Sequence, residues 1–169
     1  LAKTVSAGLR VAYCVSPTVA ESRRLASALR AATIMAAPLN VALASLWITD
    51  GTANLALTQI RSIGQARQKL ARQYLKGYEF DAHPDGFHLW LHLPEQWLKP
   101  LFCAELLSRG VAVASADMFS VSKGLDNKQD KLVLSERSSH CVRLCLGGPA
   151  DDSRLKAALQ IISEVLGLN

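Results

Sequence analysis

The sequence predicts a folded α/β protein. Helical apolar spacing follows a capping pattern at residues 18–21, a longer helical pattern begins at Thr52, and strand-like and helical segments alternate from residue 86 onward. Of the 169 residues, 50% are hydrophobic and 20% are charged, which is typical of globular proteins and too apolar for a disordered chain. The length allows one or two compact units, because domains commonly have about 100–150 residues.

The first segment of regular structure is predicted to be a buried strand, because residues 9–15 form an apolar run between a glycine and a Ser-Pro pair. A helix follows it. Thr18 has the residue type that caps a helix, and Glu21, three residues later, completes a capping box. Apolar residues then recur at helical spacing, and we expect this helix to end near Met35.

The next two helices differ in their apolar pattern. Pro38 can open the first and Asp50-Gly51 can close it, and its apolar residues cover most of the circumference, which predicts a helix buried nearly all round. The second begins at Thr52, ends at Gly77 and has an apolar stripe on one face. We expect Arg61, Gln65, Gln68 and Arg72 to lie away from this stripe. The basic residues are expected to form a solvated face, with Arg61, Arg67, Lys69 and Arg72.

The second of these helices is also predicted to mark a domain transition. About 24 residues at a rise of about 1.5 Å would span about 36 Å, enough to connect two domains. We therefore assign residues 1–75 to one domain and residues 76–169 to another.

The last part of the chain is predicted to alternate between strands and helices. The polar residues 123–137 indicate a loop or weak hairpin, and Asp151 can cap the final helix, whose apolar residues recur every three or four positions. The predicted elements are a strand at 86–93, a helix at 97–109, a strand at 111–114, a strand at 141–146 and the final helix.

Composition excludes several classes of function. The net charge is +5, but the basic residues are scattered and no basic-aromatic motif of an RNA-binding sheet is present. The four cysteines lack the paired spacing of a metal site, and we expect reduced core residues of a cytoplasmic protein. The histidines show no metal spacing either. Residues 31–49 carry no charge, but Pro38 and Asn40 interrupt them, so we expect buried helix and not a membrane span.

Three short segments could carry chemistry. Residues 3–10, K-T-V-S-A-G-L-R, place a lysine seven residues before an arginine across a glycine turn, although two such cations can simply be solvated. Residues 85–94, D-G-F-H-L-W-L-H-L-P, contain a strand pattern with a tryptophan that we expect in the core. Arg143 lies between Val142 and Leu144, where an unpaired charge is costly, so it is either a ligand-binding residue or a member of a surface ion pair.

These three segments, in this order, resemble the fold type I aminotransferases that depend on pyridoxal 5′-phosphate (PLP). The wording A-K-T-x-x-x-G-L-R-x-A-Y and G-F-H-L-W is most similar to the MocR branch of the GntR-family transcription regulators, in which a winged helix precedes an aminotransferase-like domain. The resemblance implies an aminotransferase-like fragment: the end of the large domain, a long connecting helix and a small α/β C-terminal domain.

The resemblance also assigns roles to individual residues. Lys3 would be the catalytic lysine that bonds covalently to the PLP aldehyde, and Arg10 would hold the cofactor phosphate, with Thr4 as a secondary phosphate ligand. Arg143 would bind the α-carboxylate of an amino acid through two parallel hydrogen bonds. Gly8 would allow the tight backbone path between Lys3 and the strand. No metal ligand is implied.

Two functions share these residues. The first is the effector-sensing domain of a homodimeric, cytoplasmic regulator, which binds an amino acid or amine and contacts DNA only through an N-terminal domain outside this sequence. The alternative is part of a free-standing aminotransferase. A small α/β interaction domain with incidental basic residues is the third hypothesis. In the family, the partners of the PLP ring precede the lysine, so we expect these 169 residues alone neither to retain PLP nor to transaminate.

Overall fold

A computed structural model of the chain describes residue 1 and residues 4–119 and 140–167. The chain forms two compact units, Leu1–Arg61 and Ser62–Asn169, which we call the first and second unit. The described residues contain five α-helices and one four-stranded antiparallel sheet, which confirms the predicted α/β class. The assignment of residues 1–75 to a large domain stays a prediction, and the predicted loop at 123–137 lies outside the described residues.

The first unit consists of a short turn of 3-10 helix, Ala7–Leu9, followed by helices. The hydroxyl oxygen of Thr18 accepts a hydrogen bond from the Glu21 amide at 3.2 Å, and the same hydroxyl donates to the Glu21 carboxylate at 3.0 Å. This side-chain cap confirms the predicted helix start. The helices are α1, Val19–Thr33; α2, Pro38–Thr49; and α3, Thr52–Tyr74, which continues into the second unit.

The predicted strand at residues 9–15 is wrong. Residues 10–16 have no regular secondary structure, and although Leu9 and Val11 are buried, Val15 is 93% exposed. A strand needs the backbone donors and acceptors of a neighbouring strand. The described residues of the first unit contain no other strand that could provide them.

The prediction that α2 is buried nearly all round is also wrong. Ala44 is its only buried residue, whereas Leu39 is 84% exposed and Leu46 is 58% exposed. An apolar circumference requires packing partners on every side, and the described part of this unit does not supply them. The Asn40 amide does tie the start of α2 to the preceding loop by donating to the Leu9 carbonyl at 3.0 Å.

The second unit is built on the sheet. Its strands follow the order β1-β2-β4-β3, and every neighbouring pair is antiparallel. The strand predictions at 86–93 and 141–146 are confirmed with shorter bounds, whereas the strand predicted at 111–114 overlaps the observed one, Ala114–Ser115, only at Ala114. The elements are β1, Phe80–Ala82; β2, His88–His92; α4, Lys99–Ser108; β3, Ala114–Ser115; β4, Cys141–Cys145; and α5, Asp152–Leu166.

One face of the sheet and the helices form the hydrophobic core. Leu89 and Leu91 of β2 lie beside Val142 and Leu144 of β4 on this face, and all four are at most 3% exposed. Asp151 caps α5 as predicted by accepting from the Arg154 amide at 2.9 Å. The helical side of the core comes from Leu75, Phe102, Leu106, Leu155, Leu159, Ile162, Val165 and Leu166.

The part of helix α3 that belongs to the second unit packs within that unit through residues that we expected in solvent. Arg67 is 7% exposed, so the predicted solvated face is wrong for this residue, and Gln68, expected away from the apolar stripe, is fully buried. The Arg67 guanidinium donates to the Leu146 carbonyl at 2.8 Å, to the Pro149 carbonyl at 3.1 Å and to the Asp152 carboxylate at 3.1 Å. The helix therefore covers loop ends whose carbonyls need donors, and a polar face satisfies them better than an apolar one.

The same helix comes unusually close to the loop before β2. A Cβ atom at Gly64 would lie 2.6 Å from the Asp85 carbonyl oxygen, a distance that requires the backbone to move. The Gln68 amide then donates to the Gly86 carbonyl at 2.8 Å. A glycine is therefore required at this crossing of helix and loop.

No helix within residues 4–119 and 140–167 has both the length and the hydropathy that a bilayer span needs. The uncharged residues 31–49 are divided between α1 and α2, with a break after Thr33 and a new start at Pro38. The prediction that this stretch is helical is confirmed for these two segments, but the prediction that it is buried is wrong, because Ala44 is the only buried residue of α1 and α2.

We expect Arg67→Met to lower the free energy of unfolding by about 2–3 kcal/mol, because the Leu146 and Pro149 carbonyls lose their buried donor. Arg72→Met, at an exposed position of the same helix, should change it by less than about 0.5 kcal/mol. Urea denaturation followed by circular dichroism measures both. Equal effects of the two substitutions would show that the Arg67 contacts contribute no specific stability.

Candidate functional site

The residues assigned to the cofactor lie at the start of the first unit. Lys3 lies outside the described residues. Thr4 and Arg10 are both exposed, and the Thr4 hydroxyl donates to the Leu1 carbonyl at 3.4 Å. The side chains of Thr4 and Arg10 are thus accessible to an anionic group, while the roles of all three residues remain predictions.

Arg10 adopts a left-handed backbone conformation, with φ 49° and ψ 29°. Such a conformation is unfavourable for residues other than glycine and is concentrated at functional sites. We expected Gly8 to provide the tight path, but no positive φ occurs there. The role of Gly8 stays a prediction, and the left-handed conformation of this turn falls on Arg10.

We expect Arg10→Gly to raise the free energy of unfolding by about 0.5–1 kcal/mol, because glycine adopts the left-handed region without a Cβ clash. Arg24→Gly, within α1 at an exposed position, should instead lower it by about 1 kcal/mol. Chemical denaturation of the full chain measures both. A loss of stability in Arg10→Gly as large as in Arg24→Gly would contradict the strained conformation.

Arg143 lies on the face of the sheet that is turned away from the hydrophobic core. Its neighbours in β4, Val142 and Leu144, are buried in that core, and side chains alternate between faces along a strand. In the pairing of strands, Arg143 is opposite Trp90 of β2 and opposite Ala114 of β3. This part of the sheet therefore presents an arginine between an indole and a methyl group.

Aromatic rings hold the arginine on this face. The guanidinium carbon of Arg143 lies 4.0 Å from the centre of the Phe119 ring, within the range of a cation–π interaction. Trp90 contacts the same phenylalanine edge to face, with ring centres 5.3 Å apart and an interplanar angle of 89°. We call Trp90, Phe119 and Arg143 the aromatic–arginine cluster. The prediction that Trp90 belongs to the core is wrong, because Trp90 lies on the opposite face.

The cluster lacks the counter-charge that its arginine would normally have. Within residues 4–119 and 140–167, Arg143 forms no ion pair with a carboxylate, and its Nε is shielded from solvent without a hydrogen-bond acceptor. Arg67, in contrast, is paired with Asp152 and two carbonyls. The surface ion pair that we considered for Arg143 is thus absent from the described part. Its terminal nitrogens are suited to bind an external anion.

The face of the sheet that carries Arg143 also carries a pair of polar side chains, where β1 lies beside β2. His92 of β2 and the Asp81 carboxylate are 2.7 Å apart, and Cys141 is opposite His92 in the pairing of β2 with β4. Burial raises the pKa of the Cys141 thiol, so this thiol is not an activated nucleophile at neutral pH. No group of metal-ligating side chains forms among the described residues.

The cysteines agree only in part with the expectation of core residues. None of the four forms a disulfide bond, and burial raises the pKa of the half-buried Cys103 thiol as it does that of Cys141. Cys14 and Cys145, however, are exposed. The apolar sequence around Cys14, in a loop, and around Cys145, at the end of β4, therefore did not ensure that these side chains are buried.

A cavity of about 290 Å³ lies between residues 110–113, the end of β4 and α5. Among the described residues, its walls are apolar side chains and backbone, with Cys145 as the one titratable side chain. It offers no ionic anchor for a charged ligand. The arginine on the sheet face is the stronger candidate for ligand binding.

No protein-family model and no curated protein sequence matches the chain. Solved structures do. LysN, the α-aminoadipate aminotransferase of Thermus thermophilus complexed with N-(5′-phosphopyridoxyl)-L-leucine, superposes with a TM-score of 0.77 over 96% of this chain at 18% identity. The Pyrococcus horikoshii kynurenine aminotransferase, in complex with PMP, gives a TM-score of 0.69 over 88% of this chain at 14% identity.

The chain has an aminotransferase-like fold. This confirms the predicted fold, since the similarity covers nearly the whole chain in the first case. The chain spans 39% of the length of the Thermus enzyme and 34% of the Pyrococcus enzyme. The regulator branch, the site residues and the dimer stay predictions.

Within the aminotransferase-like fold, the structure places the predicted site residues in different units. Thr4 and Arg10 belong to the first unit, and Arg143 belongs to the second. Sequence reasoning missed the contribution of Trp90 and Phe119. The alternation of Leu89 and Leu91 in the core could have placed Trp90 on the opposite face, whereas no local pattern indicates that Phe119 reaches Arg143.

Proposed function

We propose that this chain is the C-terminal part of a PLP-dependent, aminotransferase-like protein that binds an amino acid by its α-carboxylate. The observation that carries the proposal is the half-buried Arg143, which is held by aromatic rings and has no carboxylate partner among the described residues. A guanidinium binds a carboxylate through two parallel charge-assisted hydrogen bonds, which also fix its orientation.

The start of the first unit is compatible with PLP. Thr4 and Arg10 have exposed polar side chains, and a phosphate is bound by hydroxyl and guanidinium donors of this kind. Lys3 would provide the amine for covalent attachment. When bound, PLP supplies an electron sink for bonds at the α-carbon of an amino acid. In this proposal Arg10 binds the cofactor, and Arg143 binds and orients the carboxylate of the amino acid ligand.

A larger parent protein is supported by the first unit. Its buried apolar residues are Leu9, Val11 and Ala44, whereas many large apolar side chains are exposed. Soluble proteins rarely leave so much apolar surface uncovered. The chain also spans well under half of each aminotransferase it resembles. We infer that PLP is retained only by the parent, where further residues complete the cofactor site, and that the parent is a homodimer.

Two kinds of parent fit this proposal. The motif wording around Lys3 and Trp90 supports an effector-sensing domain of a cytoplasmic MocR-type regulator, whose DNA contacts would be made by a separate N-terminal domain. The names of the solved neighbours support a free-standing aminotransferase. Both use the same residues, so the branch is a matter for experiment.

We expect Arg143→Gln in the full-length gene product to weaken the binding of its amino acid about 10- to 100-fold, because charge-assisted hydrogen bonds to the carboxylate are lost. Calorimetry with a panel of standard L-amino acids first identifies the ligand. The comparison compound is the corresponding amine, which lacks the carboxylate and should bind the variant and the original protein about equally.

Arg109→Gln is the matched control, because Arg109 is a surface arginine that directly follows α4 and is paired with Glu105 of that helix. It should leave the affinity for the amino acid unchanged. If no amino acid binds, or if Arg143→Gln affects the amine as strongly as the amino acid, Arg143 does not bind the carboxylate and the proposal fails.

A DNA-binding assay and a transamination assay together distinguish a regulator from a free-standing aminotransferase. If the parent is a regulator, the full-length protein with PLP should bind a DNA fragment from its own promoter, and the amino acid should change that affinity. Multiple turnovers with the amino acid and a 2-oxo acid, without DNA binding, would instead establish the free-standing enzyme. Lys3→Ala should abolish turnover, whereas Lys76→Ala, at an exposed position, should not.

A further inference from the structure

We propose that Phe119, supported by Trp90, is a positioning residue that presents Arg143 end-on to the carboxylate. The inference rests on the proposed carboxylate-binding role of Arg143 and concerns how its side chain is held. An arginine side chain has four rotatable bonds, and immobilising it costs conformational entropy when the ligand binds. A residue that fixes the guanidinium in advance therefore increases affinity without touching the ligand.

The geometry of the cluster supports this role. The guanidinium carbon of Arg143 lies over the Phe119 ring, 4.0 Å from its centre, and the negative face of an aromatic ring attracts a cation. Trp90 meets Phe119 at 89° and is opposite Arg143 in the strand pairing, so indole, phenyl ring and guanidinium form one continuous contact. The arginine can then swing away from its position only by losing these contacts.

The shielding of Nε determines the direction from which a carboxylate can approach. Arg143 Nε is buried and has no acceptor among the described residues, so the side of the guanidinium that contains Nε is not open to a ligand. The two terminal nitrogens remain. They are the pair that can donate parallel hydrogen bonds to a carboxylate end-on. On the other side of Arg143 in the sheet, Ala114 contributes only a methyl group.

The turn that ends in Phe119 is held by polar contacts. This turn of 3-10 helix, Ala116–Phe119, follows β3 directly. The hydroxyl of Ser115, the last residue of β3, donates to the Asp117 carboxylate at 2.9 Å, and Lys99 at the start of α4 donates to the same carboxylate at 2.7 Å. The ion pair between Lys99 and Asp117 therefore connects α4 to the turn, and the turn connects to Arg143 through the Phe119 ring.

Phe119→Leu in the full-length protein tests this inference, because it keeps an apolar side chain and removes the ring face. We expect the affinity for the amino acid to fall about 3- to 10-fold, and the affinity for the amine without a carboxylate to stay within about twofold. Phe119→Tyr should restore the affinity, since tyrosine provides the same face. Met118→Leu, at the exposed neighbouring position, is the control and should have no effect.

A double-mutant cycle distinguishes positioning from simple packing. If Phe119 acts through Arg143, Phe119→Leu should cause no further loss in the Arg143→Gln background. Equal losses for amino acid and amine, or an undiminished loss in that background, would overturn the inference. If Arg143→Gln itself has no effect on the amino acid, the proposed function fails; if only Phe119→Leu has no effect, the positioning role fails and the carboxylate site stands.

Discussion

The register between β2 and β4 is the constraint on which the second unit depends. It places Leu89 opposite Leu144 and Trp90 opposite Arg143. Because side chains alternate between the faces of a strand, a shift by one residue would bring Arg143 into the core and expose the leucines. Burial of the apolar residues thus fixes the position of the charged one. No further interaction is needed to place the aromatic–arginine cluster on the face of the sheet that is turned away from the core.

Two arginines of the second unit lie in contrasting environments, and the contrast distinguishes a structural arginine from a candidate ligand-binding one. Arg67 is nearly buried and donates to two carbonyls and a carboxylate, so its charge and its donors are satisfied by the fold. Arg143 is balanced by the face of Phe119 alone among the described residues. Removing a cation from water without an anionic partner is costly, and such a cost is common where a ligand completes the site.

Local sequence predicted the elements that are defined by local chemistry. The side-chain caps at Thr18 and Asp151 both formed, and the helical spacing in α5 identified its core face. The failures required knowledge of distant partners. Residues 9–15 had a strand composition, but the described residues of the first unit contain no strand that could pair with them. Arg67 had the residue type of a surface helix but met carbonyls from another part of the chain. The three residues of β1 were too few to produce a pattern. For the candidate site, motif resemblance indicated Arg143, but only the tertiary structure could bring Phe119 to it.

The uneven distribution of buried side chains between the units bears on how the chain folds during synthesis. The first unit leaves the ribosome before the second, yet it has few buried apolar residues, whereas the second unit contains the extensive core. During translation, the leucines and valines of α1 and α2 are therefore uncovered while the larger core is still incomplete. Segments in this condition are the ones that chaperones bind and that aggregate when synthesis is fast, so the yield of folded protein should depend on the rate of expression.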